Sequence, residues 1–274
     1  GKTTFIAALW HVVSVQEIAS ALRLGELQPS RDHLNSISKK WRECASVGRT
    51  ILGKERSVAM NLETLDGMRK FRVTMPDTSG EAFRRIFENR RWTTSFGTAV
   101  ERSAALIFFM HPDFMIAPHR IDDGVEEAIS IMEPVARSAE DNNSGQAAEQ
   151  SLPWEVNRAS PQTKVLDLLQ LVIRARKGRC LKIAVVVSAW DLVKNLQLTP
   201  EKWLQKRAPL VWQFLNANQE KRPYAVFGIS AQGDDYAKRA DTLRDFIKPS
   251  ERIIVVSGQQ TSNDITKPLL WAVE

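Results

Sequence analysis

A chain of 274 residues with 43% apolar and 26% charged side chains has the make-up of a globular protein long enough to bury a substantial core. No apolar run approaches the roughly 18 residues of a membrane span, no basic-then-apolar leader opens the chain, and two cysteines, Cys44 and Cys180, exclude a disulfide framework. The formal charge of +6 favours anionic ligands, the four scattered histidines lack metal-ligand spacing, and the thiols read as reduced in a cytoplasmic protein.

Gly1-Lys2-Thr3-Thr4 runs directly into the apolar Phe5–Trp10, which reads as the back half of a phosphate-binding loop feeding a helix. In such a loop the backbone N–H groups wrap phosphates, the lysine reaches the β/γ-phosphates and the first hydroxyl holds Mg²⁺. Lys2 and Thr3 take those roles here, with Gly1 and Thr4 beside the phosphates. Phe5, Ala8, Leu9, Val12 and Val13 have the spacing of a buried helical face. The apolar strand and first glycine that usually precede this motif lie ahead of Gly1, so the chain reads as cut in mid-motif, its first strand missing.

Residues 25–56 are polar and irregular and read as a long loop with a short helix inside it. Residues 57–65 and 69–76 alternate apolar and polar side chains around Asp66-Gly67, a hairpin signal. A helix over 81–102 leads to a continuous apolar strand, 104–110. Residues 111–160 read as an insertion, with 137–151, which lack large apolar groups, as its mobile segment. Helix 163–176, strand 181–187, helix 200–217 and strand 224–229 then alternate. A C-terminal extension, 233–274, adds a helix over 235–247, a strand over 253–256 and a closing helix. Alternation of this kind predicts one α/β domain over 1–274: a doubly wound, mainly parallel sheet with an antiparallel edge hairpin and helices on both faces.

Ligands of such sheets sit beyond the carboxyl ends of the strands, so the residues there carry the chemistry. Asp77-Thr78-Ser79-Gly80 follows strand 69–76; its carboxylate suits a Mg²⁺ shell and its glycine N–H a γ-phosphate, although Asp-x-x-Gly is also a common turn. Ser188-Ala189-Trp190-Asp191 follows strand 181–187. Asp191 is placed to accept hydrogen bonds from guanine N1–H and the exocyclic amine, a donor pair adenine lacks; a plain helix cap is its other reading. Ser230-Ala231-Gln232-Gly233 follows strand 224–229 and can aim a backbone N–H at guanine O6. Thr50, within Gly48-Arg49-Thr50, is a further candidate metal ligand.

Taken in this order, the four motifs resemble the translation-factor-related (TRAFAC) class of P-loop GTPases over residues 1–232. With the closing Pro268-Leu269-Leu270-Trp271, they look similar to the bacterial double-GTPase type of conflict-system proteins. The resemblance implies a P-loop fold, GTP and Mg²⁺ as ligands, and Lys2, Gly80 and Glu81 as catalytic residues. It also implies nucleotide contacts from Gly1, Lys2, Thr3, Thr4, Asp77, Asp191, Ser230 and Ala231, with Thr3, Thr50 and Asp77 at the metal.

Two departures stand out. Ser188 and Ala189 replace the usual Asn and Lys of the guanine motif, leaving Trp190 either as apolar cover for the base or as packing against the neighbouring helix. Glu81 stands where many small GTPases carry a water-orienting glutamine, and its charge would repel the γ-phosphate. The resulting expectation is a Mg²⁺-dependent GTP-hydrolysing switch, in a conflict or signalling system, acting on a protein effector. A catalytically weak or inactive GTPase-fold interaction module is the alternative. A basic nucleic-acid contact through Arg84, Arg85, Arg90 and Arg91 is a less favoured third.

Overall fold

The computed structural model describes residues 1–26, 31–45, 57–76, 80–115 and 159–274. Thr50 and Asp77, two of the candidate metal ligands, and the segment 137–151 lie outside the described residues.

Helix α1, Lys2–Val15, is buried without a break from Phe5 to Val13. The sequence predicts one buried face; the structure covers every side, because α1 packs on helix α2, Arg31–Arg42, and reaches both of the sheets described below. Helix α2 occupies much of the stretch expected to be loop. Its apolar residues Leu34, Ile37 and Trp41 recur at helical spacing, and Asn35 accepts a 2.8 Å hydrogen bond from the Trp10 indole.

The hairpin forms where alternation and Asp66-Gly67 predict it. Strands β2, Ser57–Thr64, and β3, Lys70–Pro76, pair antiparallel. The Asp66 carboxylate accepts the Thr64 hydroxyl and the Met68 N–H, while Gly67 supplies the positive φ of 70° that the turn requires. A short strand, β1 (Leu22–Leu24), adds to the other edge of β2, giving a three-stranded sheet of its own.

The expected helix over 81–102 is two helices, α3 (Gly80–Asn89) and α4 (Thr94–Arg102). Arg90 adopts a left-handed φ of 55°, which ends α3, and the Thr93 hydroxyl caps α4 by accepting the Phe96 N–H. Strand β4, Ala105–Met110, follows, then helix α5, Pro161–Ala175, and strand β5, Lys182–Ser188. The single helix predicted over 200–217 is also split, into α6 (Pro200–Arg207) and α7 (Pro209–Ala217), since Pro209 cannot continue the hydrogen-bond ladder. Strand β6, Tyr224–Ser230, helix α8, Tyr236–Arg244, strands β7, Ile254–Ser257, and β8, Gln260–Ser262, and helix α9, Lys267–Val273, complete the chain.

The second sheet has the order β4-β5-β6-β7-β8, with β4, β5 and β6 parallel and β7 and β8 antiparallel. It is therefore mixed and not mainly parallel. The register gives the reason: Ser230 at the end of β6 pairs with Ile254 at the start of β7, so the α8 connection stays at one rim and β7 runs back from there. A parallel partner would need a crossover along the whole sheet.

Helices cover both faces, as alternation predicts. From β5, Ala184 and Val186 enter the core shared with α1, α2, α9 and the three-stranded sheet. Ile183, Val185 and Val187 enter a second core with Trp203, Leu204, Val211 and Leu215 of α6 and α7. Strand β5 is thus apolar on both sides because both sides are buried.

Candidate functional site

The carboxyl ends of β4, β5 and β6 and the start of α1 meet in one cleft. Gly1, Thr4, Asp191, Ser230 and Ala231 line it, so segments roughly 190 and 230 residues apart in sequence converge, and His111 closes the side formed by β4. The enclosed part is about 60 Å³, the floor of a cleft and far below the several hundred Å³ of a closed small-molecule pocket. A larger groove, about 290 Å³, lies beside it between Pro112, Leu192, Leu196 and Trp203. We place the site in the smaller one because the polar groups and glycine backbone converge there.

Each wall has a local cause. At the start of α1, Gly1 lies against β5: a Cβ on it would stand 2.9 Å from Ser188 Oγ, so a larger residue would have to displace that hydroxyl. Thr4 faces the cleft from the first turn of the same helix, where N–H groups have no intrahelical acceptor and the peptide dipoles favour an anion. Lys2 and Thr3, half-buried in that turn, stand next to the lining residues without lining the enclosed floor.

After β5 the chain turns sharply, with Ala189 at a left-handed φ of 52°, into the 3₁₀ turn Trp190–Leu192 that carries Asp191. The Ser188 hydroxyl donates to the Met110 carbonyl at 3.0 Å, tying the ends of β5 and β4 together. Trp190 does not cover the cleft but packs inward, the second of its two readings. It is buried in the core of the opposite face, laid so tightly over Gly228 that a Cβ there would be 2.3 Å from its ring. An indole is too large and apolar to stay at the rim when a glycine-floored slot in the core accepts it.

After β6, Ser230 Oγ accepts the Gly233 N–H at 3.1 Å and closes a turn whose outer side is held by Trp41 of α2, which donates its indole N–H to the Ala231 carbonyl at 2.7 Å.

Of the remaining predicted residues, Gly80 and Glu81 open α3, while Asp77 and Thr50 fall outside the described residues. Sequence reasoning missed His111, Phe109 and Phe5 in the cleft. His111 directly follows β4, so the rule that ligands sit beyond strand ends flags it once the strand is recognised. Its Nδ1 accepts the Asp113 N–H at 3.3 Å, and burial holds its pKa below the usual imidazole value against the opposing charges of Asp113 and Asp191.

Comparison with known protein families finds that the family model described as Double-GTPase 1 matches residues 1–272. The chain belongs to the Double-GTPase 1 family. Comparisons with curated proteins and with solved structures find no match. Family membership makes this Double-GTPase 1 chain a GTPase-type domain whose ligand class is the guanine nucleotide, as the order of the motifs implies. Among the described residues of the Double-GTPase 1 chain, no helix is long and apolar enough to cross a membrane, and no cluster of three His, Cys, Asp or Glu side chains forms a metal cage.

Proposed function

We propose that the domain is a Mg²⁺-dependent GTP-binding and GTP-hydrolysing switch of P-loop, TRAFAC-like type. The observation that carries this is the convergence of Gly1 and Thr4 with Asp191, Ser230 and Ala231 on one cleft. In this reading Gly1, Lys2, Thr3 and Thr4 surround the phosphates, Asp191 accepts the guanine N1–H and amine, and the Ser230-Ala231 turn faces O6. Strands β3 and β4 each leave one edge open among the described residues, although β4 is the apolar Ala-Leu-Ile-Phe-Phe-Met.

Hydroxyl and carboxylate oxygens suit Mg²⁺, which in nucleotide sites shares its octahedral shell among protein, phosphate and water oxygens. Thr3 would supply a hydroxyl from the first turn of α1, Asp77 a carboxylate directly after β3, and Thr50 a third oxygen. The ion, when bound, neutralises charge on the β- and γ-phosphates. The chain's own part is to orient the nucleotide, with Gly80 positioned to meet the γ-phosphate by its N–H and Glu81 near the attacking water. Loss of the γ-phosphate contact would release α3 and alter a surface for a protein effector.

A weakly hydrolysing interaction module is the second reading, and one observation favours it. Ser188 is committed to Met110 and Trp190 to the core, so the base lacks the amide tie and the apolar cover that Asn and Lys would give.

In the full-length protein, GTP with Mg²⁺ is expected to raise the melting temperature more than ATP does. Asp191→Ala is expected to remove that preference, at about 10- to 100-fold in GTP affinity for a charge-assisted pair of hydrogen bonds. Equal shifts from both nucleotides in the unmutated protein refute the guanine assignment. Single-turnover phosphate release separates the two readings, binding without release favouring the second.

A further inference from the structure

Arg252 is a buried cation with no carboxylate among the described residues to neutralise it. It is 3% exposed, follows α8 just ahead of β7, and its guanidinium lies 4.3 Å from the centroid of the Trp41 ring. Its hydrogen bonds go to neutral groups: the carbonyls of Trp41, Arg42 and Leu243, the Tyr236 hydroxyl, and the Cys44 thiol at 2.9 Å. Its Nε has no partner among the described residues. Burying a guanidinium this way costs stability unless what it organises compensates, so the cluster calls for a reason.

The position of the cluster supplies one. Trp41, fully buried, is gripped on its ring face and at its carbonyl by Arg252, and Tyr236 donates to that same carbonyl at 3.3 Å. The free edge of the indole then donates to the Ala231 carbonyl. The turn that follows is held on its other flanks: Gly233, at φ 91°, passes so near the Arg252 backbone that a Cβ would lie 2.5 Å from its carbonyl oxygen, and Asp234 pairs with Arg239 at 3.2 Å and Lys194 at 4.0 Å. The Ser230–Gln232 turn is thereby fixed by contacts on the side away from the cleft.

We infer that Trp41, clamped by Arg252, is a positioning residue that sets the Ser230–Gln232 turn for reading the O6 edge of a guanine, making α2 part of the base-selecting apparatus. The inference rests on the guanine-nucleotide reading above. It assigns O6 selectivity to a residue roughly 190 positions away in sequence, acting through one carbonyl, while Asp191 reads the N1 and amino edge. A one-ångström drift of the turn would leave the phosphates and the amino edge served and the O6 edge unread.

Titration of the full-length protein with GDP and with the 2-aminopurine riboside diphosphate, which keeps the amine but lacks O6 and with it the N1–H, tests this, because the variants leave Asp191 unchanged and alter only what faces O6. Trp41→Phe keeps the stack under Arg252 and removes the indole N–H. It is expected to weaken GDP by about fivefold, the worth of one neutral hydrogen bond, and to leave the 2-aminopurine nucleotide unchanged. Arg252→Lys, which keeps the charge and loses the fork, is expected to shift the ratio of the two affinities the same way and serves if Trp41→Phe does not fold. An unchanged ratio in the folded variants, whether both ligands weaken or neither does, overturns the inference and leaves the guanine reading standing. Unmutated protein that ignores GDP overturns both.

Discussion

At the scale of single residues, two glycines decide where the cleft's polar groups stand. Gly1 lets the start of α1 rest on Ser188, and Gly228 in mid-β6 opens the slot that swallows Trp190. The second has a measurable consequence, because Trp190 is the immediate neighbour of Asp191. In Gly228→Ala the new methyl would sit 2.3 Å from the indole, so the ring must move. We expect a loss of about 1–3 kcal/mol in unfolding free energy by urea titration, the usual cost of overpacking, together with weaker GTP binding as Asp191 is displaced. Stability loss with GTP affinity untouched would show that Trp190 and Asp191 are not coupled. The motif resemblance names Gly1, Thr4, Asp191, Ser230 and Ala231 as nucleotide contacts, and the structure brings these five to one cleft, so that much of the candidate rim is legible in the sequence. The fate of Trp190 is not, since a tryptophan beside an aspartate proposed to read the base fits a stacking role and a core role equally until the facing glycine is known.

At the scale of elements, caps and breaks set the boundaries that periodicity alone blurs. Apolar spacing predicted continuous helices over 81–102 and 200–217, yet a left-handed Arg90 and the unextendable Pro209 divide each in two. Helix α5 also starts earlier than apolar spacing places it, at Pro161 and not at 163. Ser160 opens α5 by accepting the Thr163 N–H at 3.1 Å, with Pro161 at the first helical position. Ser160→Ala is expected to lower stability by about 1 kcal/mol, read as a shifted urea midpoint at constant slope. An unchanged midpoint would mean the cap contributes nothing at this helix end. The same scale explains the mixed sheet. The turn Ser230–Gly233 and helix α8 keep the chain at one rim, so β7 returns antiparallel, something strand content cannot reveal.

At the scale of the whole molecule, one buried and one half-buried imidazole link stability to pH. His11 sits within α1, donor-acceptor partner of Glu17 at 3.1 Å; burial lowers its pKa most, Glu17 raises it, and Arg42 and Arg252 lower it further. His111 is lowered by burial at the cleft. For Glu17, burial pushes upward, but hydrogen bonding from Ser250, whose N–H lies 2.7 Å away, and the nearness of His11 outweigh it and leave the pKa lowered. For each of these groups the unfolded chain takes up protons before the folded one on acidification. Stability is therefore full above the ordinary histidine value near 6.5 and falls as pH drops through it, with the Glu17 contribution lost further down, below the ordinary carboxylate value. Urea midpoints at pH 7.5 and 5.5 are expected to show the fall. His11→Gln, which can still meet Glu17, is expected to flatten it, and an equally steep fall in that variant would remove His11 as a source.

The sequence by itself determined the local grammar of this GTPase-family chain: the helix after Gly1-Lys2-Thr3, the Asp66-Gly67 hairpin, the apolar strands and the polar motif at the end of each. Those features depend on neighbours a few residues apart, through periodicity, turn chemistry and caps. Tertiary structure alone decided that α1 is buried on every side, that β7 runs against β6, that Trp190 turns inward, and that Trp41 and Arg252 reach from α2 and the chain's last quarter to hold the Ala231 turn. Each of these outcomes depends on which distant surface arrives to cover a side chain, and the residues immediately around it in sequence carry no record of that partner.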